Sequence, residues 1–289
     1  MIMSPIKKPN YQILKDKALN EQLITNGYIV LPMLTDSEVS FFRELYKKWH
    51  PQDPSEFYKS YFNPNPEYKQ EVEHFIIKHF TPRLEEYFVN YIPFGAMFVV
   101  KPKGDKGHIP PHQDWSFVDE ANHWSLNTWC PLINTENENG NIQMLPGSHF
   151  FMESVRGFGT PELYSHLYKA VTPHLVDVPM KAGEAAFFYH GLLHCSTYNS
   201  QQDARVSLGL SLVQKNVPLY YHYLAPGEKQ ADKFLVDTDF YLNYVSYRDK
   251  IPETVKFLGK NPSTFSRFTE DEFNLRVSEF ISQSTSVIV

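Results

Sequence analysis

From about residue 94 to residue 215 the chain is a succession of short apolar or alternating runs, each closed by turn residues. Ala96 to Lys101, Leu126 to Leu132, Asn141 to Leu145, Leu175 to Pro179, Glu184 to Tyr189 and Val206 to Val213 read as strands. Asn139-Gly140 and Pro146-Gly147-Ser148 are tight-turn signals between them. Many short strands with turns between them predict an all-β sandwich or barrel rather than a parallel sheet.

The flanks have a different period. Thr35-Asp36-Ser37-Glu38 has the form of a capping box, and Val39, Phe42, Leu45, Tyr46 and Trp49 follow at helical spacing until Pro51 and Pro54. A second helix is expected from Glu67 to about Phe80, a short strand over Gly27 to Leu31, and a C-terminal helix from Thr269 to Phe280. No internal repeat, low-complexity tract or flexible linker interrupts the 289 residues. The expectation is one domain over 1–289, mainly β with flanking helices, its β core at about 94–215.

Charge and composition exclude several classes. The net charge is −6 with histidine neutral, and no long Lys/Arg run exists, which argues against nucleic acid. No run of about 18 apolar residues is available to cross a membrane. Lys7 and Lys8 are followed by no apolar stretch, so a signal peptide is not expected. Two cysteines, Cys130 and Cys195, are too few for a disulfide framework, and a reducing cytoplasm is the simplest compartment. Both read as core residues.

His112-Gln113-Asp114 places an imidazole and a carboxylate two residues apart, on one face if the segment is a strand. His194, at the end of an apolar run and before Cys195-Ser196-Thr197, could complete a set of two histidines and one carboxylate. That set leaves coordination positions open and suits non-haem Fe(II). With 12 histidines in the chain, the tripeptide alone is equally an unrelated His and Asp at a strand end. Arg205 lies eleven residues after His194, and its guanidinium fork matches a carboxylate bidentately. Residues 197–204 read as a hairpin loop that returns Arg205 beside the strand of His194. The alternative is an exposed strand arginine, although the apolar run Val206 to Val213 follows directly.

Four ordered blocks then carry a resemblance: Pro111-His112-Gln113-Asp114-Trp115, Asn139 to His149 (Asn-Gly-Asn-Ile-Gln-Met-Leu-Pro-Gly-Ser-His), His190 to Ser196 (His-Gly-Leu-Leu-His-Cys-Ser) and Arg205-Val206-Ser207. The chain resembles the phytanoyl-CoA dioxygenase family of Fe(II)/2-oxoglutarate-dependent oxygenases. The resemblance implies a double-stranded β-helix, the cupin-like jelly roll, with Fe(II) held in its mouth by His112, Asp114 and His194. It implies that Arg205, helped by Ser196, binds the distal carboxylate of 2-oxoglutarate. It places Asn127 and Lys101 near that cosubstrate. With O2 as oxidant, the implied reaction is hydroxylation of an aliphatic C–H bond of a small molecule, with succinate and CO2 as coproducts. The family's halogenases lack the carboxylate that Asp114 supplies, so halogenation is not expected.

Other residues compete for roles. His190 and His194 could form an HxxxH zinc pair on a helix, but the run before them favours strand, where positions four apart lie roughly 13 Å from each other. Spacing to Arg205 selects His194, leaving His190 as a structural histidine or a pocket lining. His149 reads as a turn-stabilising residue, and His108 and His123 as solvated. Trp115, Gln113 and Arg156 are the candidates for substrate contact, Trp115 against simple packing and Arg156 against a surface role. Residues 51–70, 102–110, 150–172 and 216–250 are the expected specificity loops, the last rich in Tyr (Tyr220, Tyr221, Tyr223, Tyr241, Tyr244, Tyr247) and able to form a lid or wall. A non-oxidative metal enzyme of the same fold and a non-catalytic metal-binding relative are the two competing functions.

Overall fold

The computed structural model describes residues 11–151, 155–243, 251–261, 265 and 267–285. Tyr244 and Tyr247 of the tyrosine-rich segment lie outside them. Three helices precede the sheets: α1 (Lys17–Asn26), α2 (Asp36–Trp49) and α3 (Pro66–Tyr87), with β1 (Tyr28–Pro32) and β2 (Tyr58–Lys59) between them. α2 starts at the expected capping box, in which Thr35 Oγ1 accepts from Glu38 N at 3.3 Å and Glu38 Oε2 accepts from Thr35 N at 2.9 Å. α3 outruns its expected end near Phe80 and passes through Pro82. Pro inside a helix costs about 3 kcal/mol. The buried stripe of Val72, Ile76 and Phe80 continues to Leu84 on the far side, and burial of that turn offsets the cost.

Ten further strands build the rest: β3 (Tyr91–Lys101), β4 (Ile109–His112), β5 (Ser125–Pro131), β6 (Ile142–Met144), β7 (Val176–Val178), β8 (Glu184–Tyr189), β9 (His194–Ser196), β10 (Arg205–Gln214), β11 (Leu219–Tyr223) and β12 (Asp232–Val236). A last strand, β13 (Lys256–Lys260), and the helices α4 (Tyr168–Val171), α5 (Thr238–Asn243) and α6 (Glu270–Thr285) complete the described elements. Every ladder is antiparallel. A six-stranded sheet runs β1-β8-β5-β10-β3-β2 and a four-stranded sheet β4-β9-β6-β7. Side chains of both, such as Phe98, Leu126, Phe187 and Leu210 from the larger and Ile142, Met144 and Val178 from the smaller, share one apolar core with α1–α3. This is the expected jelly roll.

Two features depart from the sequence expectations. Residues 197–204 do not fold a hairpin back beside β9. They cross from the small sheet to the large one, where β10 pairs with β3 and β5. Asn199, fully buried, anchors this crossing: its carbonyl accepts from Gly104 N at 2.7 Å and its Nδ2 donates to Asp203 O at 2.9 Å. The described part of the tyrosine-rich segment, up to residue 243, is not simply a loop. β11 and β12 pair through Tyr221↔Phe234 and join β13 in a third sheet. Alternation buries Leu219 and Tyr221 against Phe94 and Val213, at the far ends of β3 and β10.

Asn139-Gly140 forms the expected turn, a short 3-10 segment closed by Gly140 at φ 71°. A Cβ there would stand 2.6 Å from Thr197 O and 2.9 Å from Lys101 Cδ. Gly140→Ala therefore meets both an unfavourable φ and a close backbone contact, and we expect it to lower stability by about 1–3 kcal/mol in urea unfolding. An unchanged midpoint would mean that this turn is not held against the 197–204 crossing.

Candidate metal centre

His112 is the last residue of β4 and His194 the first of β9, and the antiparallel register makes them direct partners. Their rings lie 4.3 Å apart between centroids. Each Nδ1 sits 2.9 Å from a main-chain carbonyl two residues earlier, Pro110 O for His112 and Leu192 O for His194. A carbonyl only accepts, so each Nδ1 carries a proton, and in the neutral ring the lone pair lies on Nε2. Two expected placements need correction, that of Asp114 on the strand of His112 and that of His194 at the end of the preceding apolar strand. Asp114 lies two residues beyond the end of β4, and the run before His194 ends at Tyr189, with a turn over 190–193 before β9 opens. His190 and His194 are thus on neither one strand nor a helix.

Asp114 still reaches the pair. Its Oδ1 is 4.0 Å from His112 Nε2 and its Oδ2 is 3.6 Å from His194 Nε2. One donor atom from each of the three residues lies within 4.8 Å of the others. Ligands each about 2 Å from a common ion stand no more than about 4 Å apart, so an ion needs only small rotations of these side chains. The segment bearing Asp114 is fixed on three sides. Its N–H donates to His190 O at 2.8 Å, its carbonyl accepts from Arg156 Nε at 2.6 Å, and Asn127 Nδ2 donates to its Oδ2 at 2.6 Å. Burial alone would raise the Asp114 carboxyl, but His194 and His112 hold it below its ordinary range. Burial, reinforced by His194, draws His112 down to about 4. Near neutral pH the centre therefore offers a neutral His112 and an ionised carboxylate, the forms that bind divalent metals.

Arg205 and Lys101 are cross-strand partners on β10 and β3, and both are buried, with 2% and 0% of their surface exposed. Arg205 Nη1 donates to Gly140 O, and the guanidinium stands 4.6 Å over the Trp129 ring. Its Nε is buried without a partner, and no carboxylate pairs with it among the described residues. Burial draws its pKa down to about 9. Gly140 lies two residues before Ile142, the partner of Ser196, so the guanidinium sits toward the Ser196 end of β9. Lys101 Nζ does not point at an open site. It donates to Gly107 O at 2.6 Å, Ser196 O at 3.3 Å and Thr197 O. Burial, then Arg205, pulls Lys101 down to about 6, whereas three accepting carbonyls suit the ammonium form.

The other candidates fall in two groups. Gln113 donates to Gly191 O and, with Trp115 and Arg156, lines a narrow cleft beside Asp114. Arg156 is not on the surface. It is 7% exposed, and its Nη2 is 2.7 and 2.8 Å from the two Glu120 oxygens. Nothing in the sequence links residues 120 and 156, and Glu162 and Tyr164, which also line the cleft, carried no signal. His190 contacts Ser125 Oγ through Nδ1 and Ser211 Oγ at 3.3 Å through Nε2, which leaves no nitrogen for a metal. His149 stacks on Tyr189 at 4.7 Å and meets Ile24 O at 3.0 Å, bracing α1 rather than its own turn. His108 is exposed, while His123 is half-buried. Cys130 and Cys195 are buried free thiols, as expected, and Cys195 Sγ donates to Gln143 Oε1 at 3.3 Å.

The family model for phytanoyl-CoA dioxygenase (PhyH) matches residues 25–207. A phytanoyl-CoA dioxygenase of Arabidopsis thaliana is 29% identical over 126 residues, 42% of this chain and 44% of that protein. The chain spans less than half the length of the curated relatives it matches. Among solved structures, the epimerase SnoN in complex with Fe3+, α-ketoglutarate and nogalamycin RO superposes with a TM-score of 0.54 at 17% identity, covering 89% of this chain and 96% of that one. The α-ketoglutarate-dependent carbocyclase SnoK from nogalamycin biosynthesis gives 0.52 at 19% identity, covering 76% and 89%. At these identities the structural likeness is one of fold. Among the described residues, no helix is long and apolar enough to cross a membrane.

His190 and His222, 1% and 3% exposed, are each drawn to about 4 by burial first. An unfolded imidazole titrates near 6.5. Between about 4 and 6.5 the unfolded chain holds protons that the folded chain refuses, so stability rises with pH across that window. Metal-free protein should lose on the order of 3 kcal/mol or more of urea stability as the pH falls through it. His222→Gln should flatten part of that slope, and a flat profile in the parent would show that these rings are not buried neutral.

Proposed function

The chain belongs to the phytanoyl-CoA dioxygenase family, and we propose that it is an Fe(II)/2-oxoglutarate-dependent dioxygenase that hydroxylates an aliphatic C–H bond of a small molecule. The observation that carries this reading is the pairing of two sites across the sandwich. His112, Asp114 and His194 converge at one end of β9, and a buried arginine that meets no carboxylate among the described residues lies toward the other. Two imidazole nitrogens and one carboxylate oxygen are the donor set of open non-haem iron centres. The orphaned Nε of Arg205 is a fit test of its own, because a buried donor left unpaired calls for an acceptor.

His112, Asp114 and His194 would hold the iron, which with 2-oxoglutarate and O2 would supply the oxidising power for a C–H bond, with succinate and CO2 as coproducts. The protein's own part is binding and aim. The carbonyls of Pro110 and Leu192 fix both histidine tautomers, so Nε2 needs no proton transfer before it binds a metal. Asn127 holds Asp114 Oδ2, which fixes the carboxylate plane. Arg205 would take the distal carboxylate of 2-oxoglutarate bidentately, in a dry site where the charge pair is strong. Lys101 would act beneath it, tying the carbonyls around the pocket rather than touching the cosubstrate. Ser196, at the same end of β9, remains a candidate contact.

Anaerobic addition of Fe(II) and 2-oxoglutarate should give a visible charge-transfer band, absent in Asp114→Ala. Failure of the parent protein to give the band or to bind 2-oxoglutarate would sink the reading. Arg205→Ala should raise the 2-oxoglutarate requirement by about 10-fold or more while leaving iron affinity nearly intact; equal loss of both would assign Arg205 a different role. The same fold carries an epimerase and a carbocyclase, so succinate release alone does not identify the reaction. Product mass does: hydroxylation adds one oxygen atom, ring closure removes two hydrogens, and epimerisation changes nothing.

A further inference from the structure

Ser125 and Asn127 stand two apart on β5 and share one face of the large sheet, and Ser211 of β10 is the register partner of Asn127. The two serines are 1% and 8% exposed. A buried hydroxyl is costly unless something bonds it. Here one residue serves both. His190, itself 1% exposed, meets Ser125 Oγ through Nδ1 and Ser211 Oγ at 3.3 Å through Nε2. In a neutral imidazole one nitrogen donates and the other accepts, and a serine hydroxyl can do either, so both contacts form without a charge. The Phe117 ring closes on the imidazole edge-on, 4.7 Å away.

The main chain of His190 faces the metal centre. Its N–H donates to Ser125 O at 3.3 Å, and its carbonyl accepts from Asp114 N at 2.8 Å. The next carbonyl, Gly191 O, accepts from the Gln113 side chain. Residues 113 and 114 lie past the end of β4, so they hang from two consecutive carbonyls of the 190–193 turn. That turn belongs to no strand either. Leu192 N donates to Tyr189 O at 2.8 Å, which fixes the shape of the turn but not its position. At its far end Leu193 N donates to Ser148 Oγ at 2.8 Å, and at its near end the His190 ring ties it to β5 and β10. The same row of the large sheet supports the rest of the centre. Asn127 donates to Asp114 Oδ2, and Phe188, its partner on β8, packs 4.7 Å from the His194 ring.

We infer that His190 is a positioning residue for Asp114: its imidazole, clamped between Ser125 and Ser211, sets where the 190–193 turn stands and thereby where the Asp114 carboxylate meets His112 and His194. The role goes beyond the proposed function, because His190 offers no nitrogen to a metal. It rests on the metal reading only for its consequence in metal affinity.

Hydrogen exchange of the Asp114 amide in the metal-free protein reads that position directly. In His190→Leu this amide should exchange at least about tenfold faster, while that of Leu208, within β10, is unchanged. Titration with Co(II) should show an affinity lower by about 10- to 100-fold and an altered d–d absorption. His190→Gln, which keeps one donor and one acceptor, should recover part of both. His222→Gln removes another buried imidazole, on β11, and should move neither readout. Ser211→Ala deletes a single ring contact and should shift both readouts the same way by about threefold or more; it serves where His190→Leu does not fold. An Asp114 amide that stays protected in a folded His190 or Ser211 variant overturns the inference and leaves the dioxygenase reading standing. So does unchanged Co(II) binding with a loss of urea stability, the mark of packing alone. Failure of the parent protein to bind Co(II) would sink the metal reading, and the exchange of Asp114 would still decide the role of His190.

Discussion

The pairing of His112 with His194 across β4 and β9 is the constraint on which the rest of the site depends. In a strand ladder a slip of one residue turns a side chain to the opposite face. Here such a slip would separate the two Nε2 atoms and leave Asp114 facing one of them. The strands themselves are too short to secure that register by length, at four and three residues. It is held instead from the sides. β6 sets Met144 opposite His194 and Ile142 opposite Ser196. Lys101 Nζ, reaching from the other sheet, joins Gly107 O before β4 to Ser196 O and Thr197 O at the end of β9. One buried ammonium thus bolts both histidine-bearing strands to β3.

That arrangement sets two cations side by side in the sandwich, and their surroundings treat them differently. Lys101 has three carbonyls at its three donors, and Gly107 and Gly140 leave it room, since a Cβ on either would stand 2.7 or 2.9 Å from its side chain. Arg205 has one carbonyl, an aromatic face and an unpaired Nε. A buried charge is tolerated when its hydrogen bonds are complete, and among the described residues those of Arg205 are not. The same contrast separates the histidines. Both nitrogens of His190 are engaged by serines, whereas His112 and His194 each keep one nitrogen free of protein donors and aimed at Asp114.

Much of this was legible in the sequence, for identifiable reasons. Strand alternation is local, so β5, β8 and β10 fall close to their expected bounds, and the Thr35 cap marks α2 because capping needs residues only three apart. Spacing brought forward His112, Asp114, His194 and Arg205, and the fold gathers the first three. What failed was geometry that depends on partners far along the chain. The crossing at 197–204 resembles a hairpin loop because both are polar and eight residues long; only the second sheet tells them apart. Arg156 looked like a surface residue because the carboxylate that balances it, Glu120, is 36 positions away. The β11–β12 hairpin was hidden because its tyrosines are as suited to a wall as to a strand.

Arg156 also ties the position of Asp114 to the shape of the cleft beside it. Its Nε holds the carbonyl of Asp114 and its Nη2 holds Glu120, while the same side chain forms part of the cleft wall. Its own backbone is pinned as well: Ser116 N donates to Arg156 O at 3.0 Å, and Arg156 N donates to Ser116 Oγ at 3.2 Å. A ligand large enough to move that wall must therefore strain the segment 114–116, which carries the carboxylate ligand on one side and Trp115 on the other. A ligand whose polar end fits the existing space leaves Asp114 where the histidines need it. The size of the cleft and the position of Asp114 are thereby linked through one side chain.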